Sequence, residues 1–241
     1  MKSKSILGIV VSVILLVASI LLAVQTRAAE KTVEIDGQLF TAVHFNGAAT
    51  LHITQSSKAE LVASGSNDVL DDLSVTIRND TLFIETEKDY GFLFNNDSDD
   101  ILITLVVVNM AELSLKGSTE VRVHGLDVKE LSIQVSGASD VVFEDLFADS
   151  LTINATGANE FSIDGEVDSQ NISLKGASDY DAVDLLSETA VIMLAGAGDA
   201  RIQVKAELNV RVYGVGEIAY LGSPKVNQSV RGMGSVKRIS I

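Results

Sequence analysis

Six carboxylates recur at nearly equal spacing in the second half of this chain: Glu120, Asp140, Glu160, Asp179, Asp199 and Glu217. Side chains of this kind, brought into one row, can do three different things. The Asp members can accept backbone N–H groups inside their own turns, as Asx turns do. The row can hold cations, by analogy with calcium-binding β-roll repeats. Two of its members can act on a polysaccharide as a catalytic carboxylate pair. Like charges about 5 Å apart repel by roughly 1 kcal/mol in water and about 3 at an intermediate dielectric. Glu alternates with Asp in the first three copies, which lets neighbours splay apart, and Arg122 and Arg201 stand two residues beyond the row. The weight falls on turn capping by Asp140, Asp179 and Asp199, with no catalytic residue, metal site or cofactor assigned.

Other reactive groups are sparse. His44, His52 and His124 fall at different points of the repeat and lack metal-ligand spacing. There is no cysteine and no Gly-x-Ser-x-Gly elbow. The run Asn95 to Asp100 carries oxygen ligands that calcium could use, but not the glycine and distant glutamate of an EF-hand loop; it reads as a solvated loop. The aromatic complement is 8 Phe and 4 Tyr with no Trp, and Phe143, Phe161, Tyr180 and Tyr220 occupy inward positions. A cleft that cleaves sugars normally exposes aromatic faces, so that activity is poorly supported.

Each carboxylate is the fourth residue of a short phrase that opens on glycine. Gly117, Gly137, Gly157, Gly176, Gly196, Gly214 and Gly232 start its seven copies, at steps of 20, 20, 19, 20, 18 and 18 residues. A fixed period in this range marks a repeat architecture. Glycine opens the turn because it alone reaches positive φ without strain. Small residues follow because neighbouring turns stack at about the strand spacing of 4.8 Å.

The strands flanking the glycine show a period of two. Four residues before it stand Leu113, Ile133, Ile153, Ile172, Ile192 and Val210; four after it stand Val121, Val141, Phe161, Tyr180, Ala200, Ile218 and Val236. Residues between the inward ones, such as Arg122, Ser162, Ala219 and Lys237, should face out. The fold class is therefore all-β, a β-solenoid (β-helix) of 18–20-residue coils. Residues 30–241 form one domain, with 30–110 as irregular longer coils and 111–241 as regular ones. Gly47-Ala48-Ala49-Thr50 looks like an eighth copy, and a polar last coil is expected from Ser229 to Ile241.

Residues 1–28 read as a signal peptide or membrane anchor. Lys2 and Lys4 precede an apolar run from Ile6 to Val24, and cleavage after Ala28 is allowed. Without Lys2, Lys4 and Arg27, 15 of the 18 basic residues face all 33 acidic ones, a formal charge of −18. Such a surface repels nucleic acid and anionic lipid, which leaves membrane contact to the N-terminal segment. With no cysteine, packing alone stabilises the fold.

The repeated Gly-Ala-Ser-Asp and Gly-Ala-Gly-Asp turns, the closing phrase from Lys225 to Val236, and the upstream phrases from Phe40 and Asp80 together resemble the auto-transporter adhesin head GIN domain family. The resemblance covers roughly residues 33 to 238 and departs at Val108-Asn109-Met110-Ala111, where the family tends to have proline. It implies a right-handed superhelix similar to pectin-lyase-like folds, exported by bacteria, and it carries over no catalytic residue. The expected function is that of an exported, non-enzymatic cell-envelope protein, periplasmic or at the cell surface, that binds a protein or glycan. The alternatives are a polysaccharide-active enzyme and a calcium-stabilised surface repeat. Oligomeric state is left open.

Overall fold

The computed structural model describes residues 29–35, 39–86 and 101–240. The leader and the Asn95–Asp100 run fall outside the described residues. Among these residues no helix is long and apolar enough to cross a membrane.

The described chain is nearly all β. Its elements are β1 (Ala29–Val33), β2 (Ala42–Gln55), β3 (Glu60–Gly65), a short helix α1 (Asn67–Asp71), β4 (Leu73–Arg78), β5 (Thr81–Thr86), β6 (Leu102–Val107), β7 (Glu112–Ala197), β8 (Ala200–Leu221) and β9 (Lys225–Arg238). They join one sheet in the order β1-β3-β6-β2-β7-β8-β9, with β5 also on β2 and β4 on β5.

At about 3.3 Å per residue, an 86-residue strand drawn straight would run roughly 280 Å. Instead β7 folds back over itself, glycine on glycine. A Cβ on Gly137 would overlap the carbonyl oxygen of Gly117; the same holds for Gly157 on Gly137, Gly176 on Gly157 and Gly196 on Gly176. Parallel pairing continues the superposition through Gly196–Gly214 and Gly214–Gly232. At the other end Gly47 pairs with Gly117, within a parallel register that runs Ala42–Glu112 to Thr54–His124. The phrase at Gly47 thus stacks with the seven others across a gap of 70 residues.

That pairing passes through the glycines without a break. The sequence reading makes each glycine a chain reversal, but the structure makes it a corner in a continuous parallel ladder. The two flanking arms pair with their counterparts in adjoining repeats, not with each other.

Residues 29–107 depart from the expected longer coils. The first half of β2 pairs in parallel with β5 and the second half with β6. Those two strands make one further layer between them. Beyond it every contact is antiparallel: β4 on β5, β3 on β6 and β1 on β3.

Packing follows the sequence rows with few exceptions. Leu113, Ile133, Ile153, Ile172, Ile192, Val121, Val141 and Phe161 are fully buried. Val230 at an inward position is 37% exposed and Val236 half-buried, because no layer covers β9. Ala219 sits at an outward position yet is only 5% exposed, a methyl beside its longer register partner Lys237. A second corner follows eight residues after the turn glycine, at Gly125, Asp145, Gly165 and Gly222, all with positive φ. Past it lies a third inward row, Leu126, Leu146, Val167 and Leu185. The register between β7 and β8 slips between Ala182 and Thr189, where the repeat shortens.

Candidate functional site

The corner glycines sit where side chains cannot follow. Gly117, Gly137, Gly157, Gly176, Gly196, Gly214 and Gly232 have φ of 115°, 137°, 123°, 113°, 138°, 146° and 131°. Each one rises on the backbone of the repeat before it, so even alanine would be both strained and in collision.

Two residues on, the chain points inward. Thr119, Ser139, Asn159 and Ser178 are all at least nine-tenths buried and form a polar column inside the corner. The hydroxyls of Thr119 and Ser139 are 2.8 Å apart, and Asn159 Nδ2 donates to Ser178 Oγ at 3.4 Å. The same position is then taken by Gly198 and Gly216, and the column ends. Alternation about the glycine could have revealed this column, but the small polar residues read as turn chemistry.

The carboxylates of the row lie on the outside of the same corners. Asp199 N–H donates to Asp179 Oδ1 at 2.8 Å, and Glu217 N–H donates to Asp199 Oδ1 at 2.7 Å. These are backbone caps, but each Asp caps the corner of the repeat that follows, not its own. Asp140, next in the chain to Ser139, stands exposed on its corner. Glu120 is bridged by Arg122 at 2.8 Å and Glu217 by Lys237 at 2.7 Å. Arg201 does not serve the row; it binds Asp181 at 2.9 Å. At the second corner the direction is reversed: Asp164 accepts from Asp145 N–H of the repeat before it at 2.7 Å. Among the described residues no group of three or more His, Asp or Glu is placed to hold a metal.

The two outward faces have opposite chemistry. The strand segments after the corner glycines carry the six row carboxylates together with Glu144, Asp164 and Asp181. The segments before them hold outward side chains one, three and five residues ahead of the glycine. In the seven repeats the carboxylate there is Glu112, against Lys116, Lys175, Arg211 and Arg231; most of the rest is Ser, Thr, Asn or Gln, and Glu85 joins the face beside Asn46. His44 and Phe83 lie at one end of this face, with Glu112 Oε1 3.2 Å from His44 Nε2, the rings 5.1 Å apart edge to face, and Arg78 4.2 Å over Phe83. At the other end Arg231 stands 5.7 Å over Tyr213. His124, on the acidic face, lies 3.4 Å from Glu144.

Two further polar features hold the stack together. In the apolar column Leu131, Leu151, Gln170, Ala190, Leu208, the buried Gln170 accepts from Tyr180 Oη at 2.8 Å while its Nε2 has no partner. Burial pushes the Tyr180 hydroxyl far above its ordinary range, so it stays protonated. On the surface Lys205 donates to Glu188 at 3.0 Å and lies 3.7 Å from Glu166; the hydrogen bond to Glu188 holds its ammonium charged above the usual lysine range.

Residues 39–224 match the family model described as "Putative auto-transporter adhesin, head GIN domain". Curated proteins give no match. Among solved structures, a "putative adhesin" from Bacteroides fragilis superposes with a TM-score of 0.81 at 22% identity, covering 89% of this chain and 98% of that one. A "putative lipid binding protein" from Parabacteroides distasonis gives 0.62 at 19% identity, covering 90% and 98%. A "putative adhesin" from Parabacteroides merdae gives 0.59 at 17%, again covering 90% and 98%. At these identities the likeness is one of fold.

Proposed function

The chain belongs to the auto-transporter adhesin head GIN domain family, and from that premise we propose that it is an exported, non-enzymatic adhesive module of the cell envelope. Its architecture in this reading is a right-handed β-solenoid whose long outer faces bind a protein or glycan of the envelope, with residues 1–28 serving as signal peptide or anchor. One observation carries the proposal: the chemistry-bearing side chains of the corners are spent on the fold itself. Asp179 and Asp199 cap the next corner, Arg122 neutralises Glu120, and Thr119 and Ser139 hold each other. What remains free is extended, repetitive outer surface, which suits binding over many weak contacts better than a single reaction centre.

The test is retention. The protein, recovered after expression of the full chain, is mixed with isolated cell envelopes and sedimented, and the polysaccharide fraction is sized before and after. Saturable co-sedimentation with no shortening of the polysaccharide is the expected outcome. Absence of retention, or the appearance of shorter glycan products, overturns the reading. Fractionation of the producing cells into inner membrane, periplasm and outer surface locates the chain and reports whether residues 1–28 are removed.

A further inference from the structure

We propose that the face preceding the corner glycines binds an extended, uncharged polysaccharide laid along the stacking direction. The inference rests on the adhesive reading above and assigns its surface and ligand class. Its central field includes Gln134, Ser136, Asn154, Thr156, Asn171 and Ser173, all outside the core. Each of these side chains both donates and accepts hydrogen bonds, as a sugar hydroxyl does, so either partner can take either role. Successive repeats lie about 4.8 Å apart, and alternate residues along a strand about 6.6 Å, which makes the field a regular two-dimensional lattice. Beyond the field lies a layer with Val191, Met193 and Ala195 outward, and past it Tyr213 offers an aromatic ring, 41% exposed.

Charge selects against the other candidates. The whole chain carries −15, so a polyanion is repelled at long range. A polycation would be drawn to the opposite face, where the carboxylates are gathered. The field itself carries neither carboxylate nor ammonium, with Lys116, Lys175 and Glu112 at its edges, and its hydroxyls and amides match the hydroxyls of an uncharged polymer. A protein partner is disfavoured for a separate reason. Protein interfaces centre on buried aromatic and aliphatic anchors, and no large apolar side chain points outward on this face between Ser132 and Lys175.

The experiment is affinity electrophoresis of the full chain through gels containing a neutral mannan, glucan or galactan, each referenced to a gel without polysaccharide. Gels containing alginate or hyaluronate serve as the polyanionic arm. The variant Gln134→Glu/Asn154→Asp/Asn171→Asp keeps side-chain shape but adds charge and removes donors on this face. Glu144→Gln/Glu160→Gln changes charge on the opposite face. Wild type and the second variant should be retarded by at least one neutral polymer, and the triple variant should lose tenfold or more in apparent affinity with its melting temperature kept. The three single substitutions, scored separately, supply the comparison should the triple variant fold poorly. The proposal is overturned by retardation that the substitutions leave unchanged, by retardation on polyanions alone, or by none on any neutral polymer while envelope retention persists. Loss of envelope retention itself in wild type would sink the adhesive reading, and this inference with it.

Discussion

Residues 112–238 and residues 29–107 solve the same problem by different means. In the first region every layer is the template for the next: parallel, glycine over glycine, with corner caps passed from Asp179 to Asp199 and on to Glu217. In the second, β5 and β6 supply one such layer and the sheet then closes with antiparallel strands. A parallel array cannot end by itself, since its last layer always exposes both core and ladder. The antiparallel strands β1, β3 and β4, with α1 packed beside them, cover one end. At the other end β9 is left with Lys225, Arg231, Lys237 and Arg238, charges of the kind that blunt an open sheet edge. What the difference teaches is that repetition builds the middle of this molecule and irregularity finishes it.

The sharpest break in that comparison is at the glycines. Gly176→Val places a branched side chain at a φ of 113° and against backbone of the preceding layer; we expect no folded protein in a soluble-expression and circular-dichroism test. Gly47 at the antiparallel end meets a side chain instead, the hydroxyl of Thr86. Gly47→Ala combined with Thr86→Ala should therefore still fold, with a lowered melting temperature, whereas no second-site truncation can relieve Gly137→Ala. Equal behaviour of the two glycines would mean that the layers are not rigidly templated.

Core burial should differ by region as well. Ile153→Asp buries an unpaired carboxylate in the middle of the stack and should cost several kcal/mol in denaturant unfolding. Val75→Asp, on the half-buried edge strand β4, should cost well under half as much, and Ser162→Asp should stay within about 0.5 kcal/mol.

A smaller effect separates polar from apolar layers within the stack. Tyr180→Phe leaves Gln170 with no partner and should destabilise by about 1–3 kcal/mol. Adding Gln170→Leu, which restores the column of Leu131, Leu151 and Leu208, should recover most of the loss. If the double variant stays less stable than wild type, the buried pair is a net stabiliser; if it is more stable, the pair costs stability.

The corner carboxylates come next. Asp199→Ala removes the acceptor for Glu217 N–H and should cost about 1 kcal/mol, while Glu120→Ala, which loses only an exposed ion pair, should cost a few tenths. Calcium and chelator at matched ionic strength should leave the melting temperature unchanged. A large rise specific to calcium would replace capping with a cation ladder; at a hundred times its dissociation constant the ion would add about 2.7 kcal/mol per site.

The sequence made the stack legible because a repeat states its own register many times. Ile153 and Ile172 could be placed in the core from spacing alone, and Gly47 could be matched to Gly117 by phrase. The second corner stayed hidden because glycine marks it only at Gly125, Gly165 and Gly222, while Asp145, Asp184 and Val204 stand at the same offset in the other repeats. The antiparallel closure stayed hidden because β1, β3 and β4 each occur once, and a single short strand carries no signal of its partner. For Asp179 and Asp199 the chemistry was readable and the address was not: an Asp that caps its own corner and one that caps the next look the same in sequence. The segregation of charge between the two faces was written in the rows as well, but became visible only when the glycines aligned them.

The direction of those corner bonds gives the molecule an arrow of time. Asp179 waits for Asp199, and Asp199 for Glu217, so each acceptor is synthesised before the donor that needs it. At these two corners a chain that emerges from its N-terminus lays a layer onto a finished one whose carboxylate is already in place, much as a course of bricks is set on a course that has been levelled.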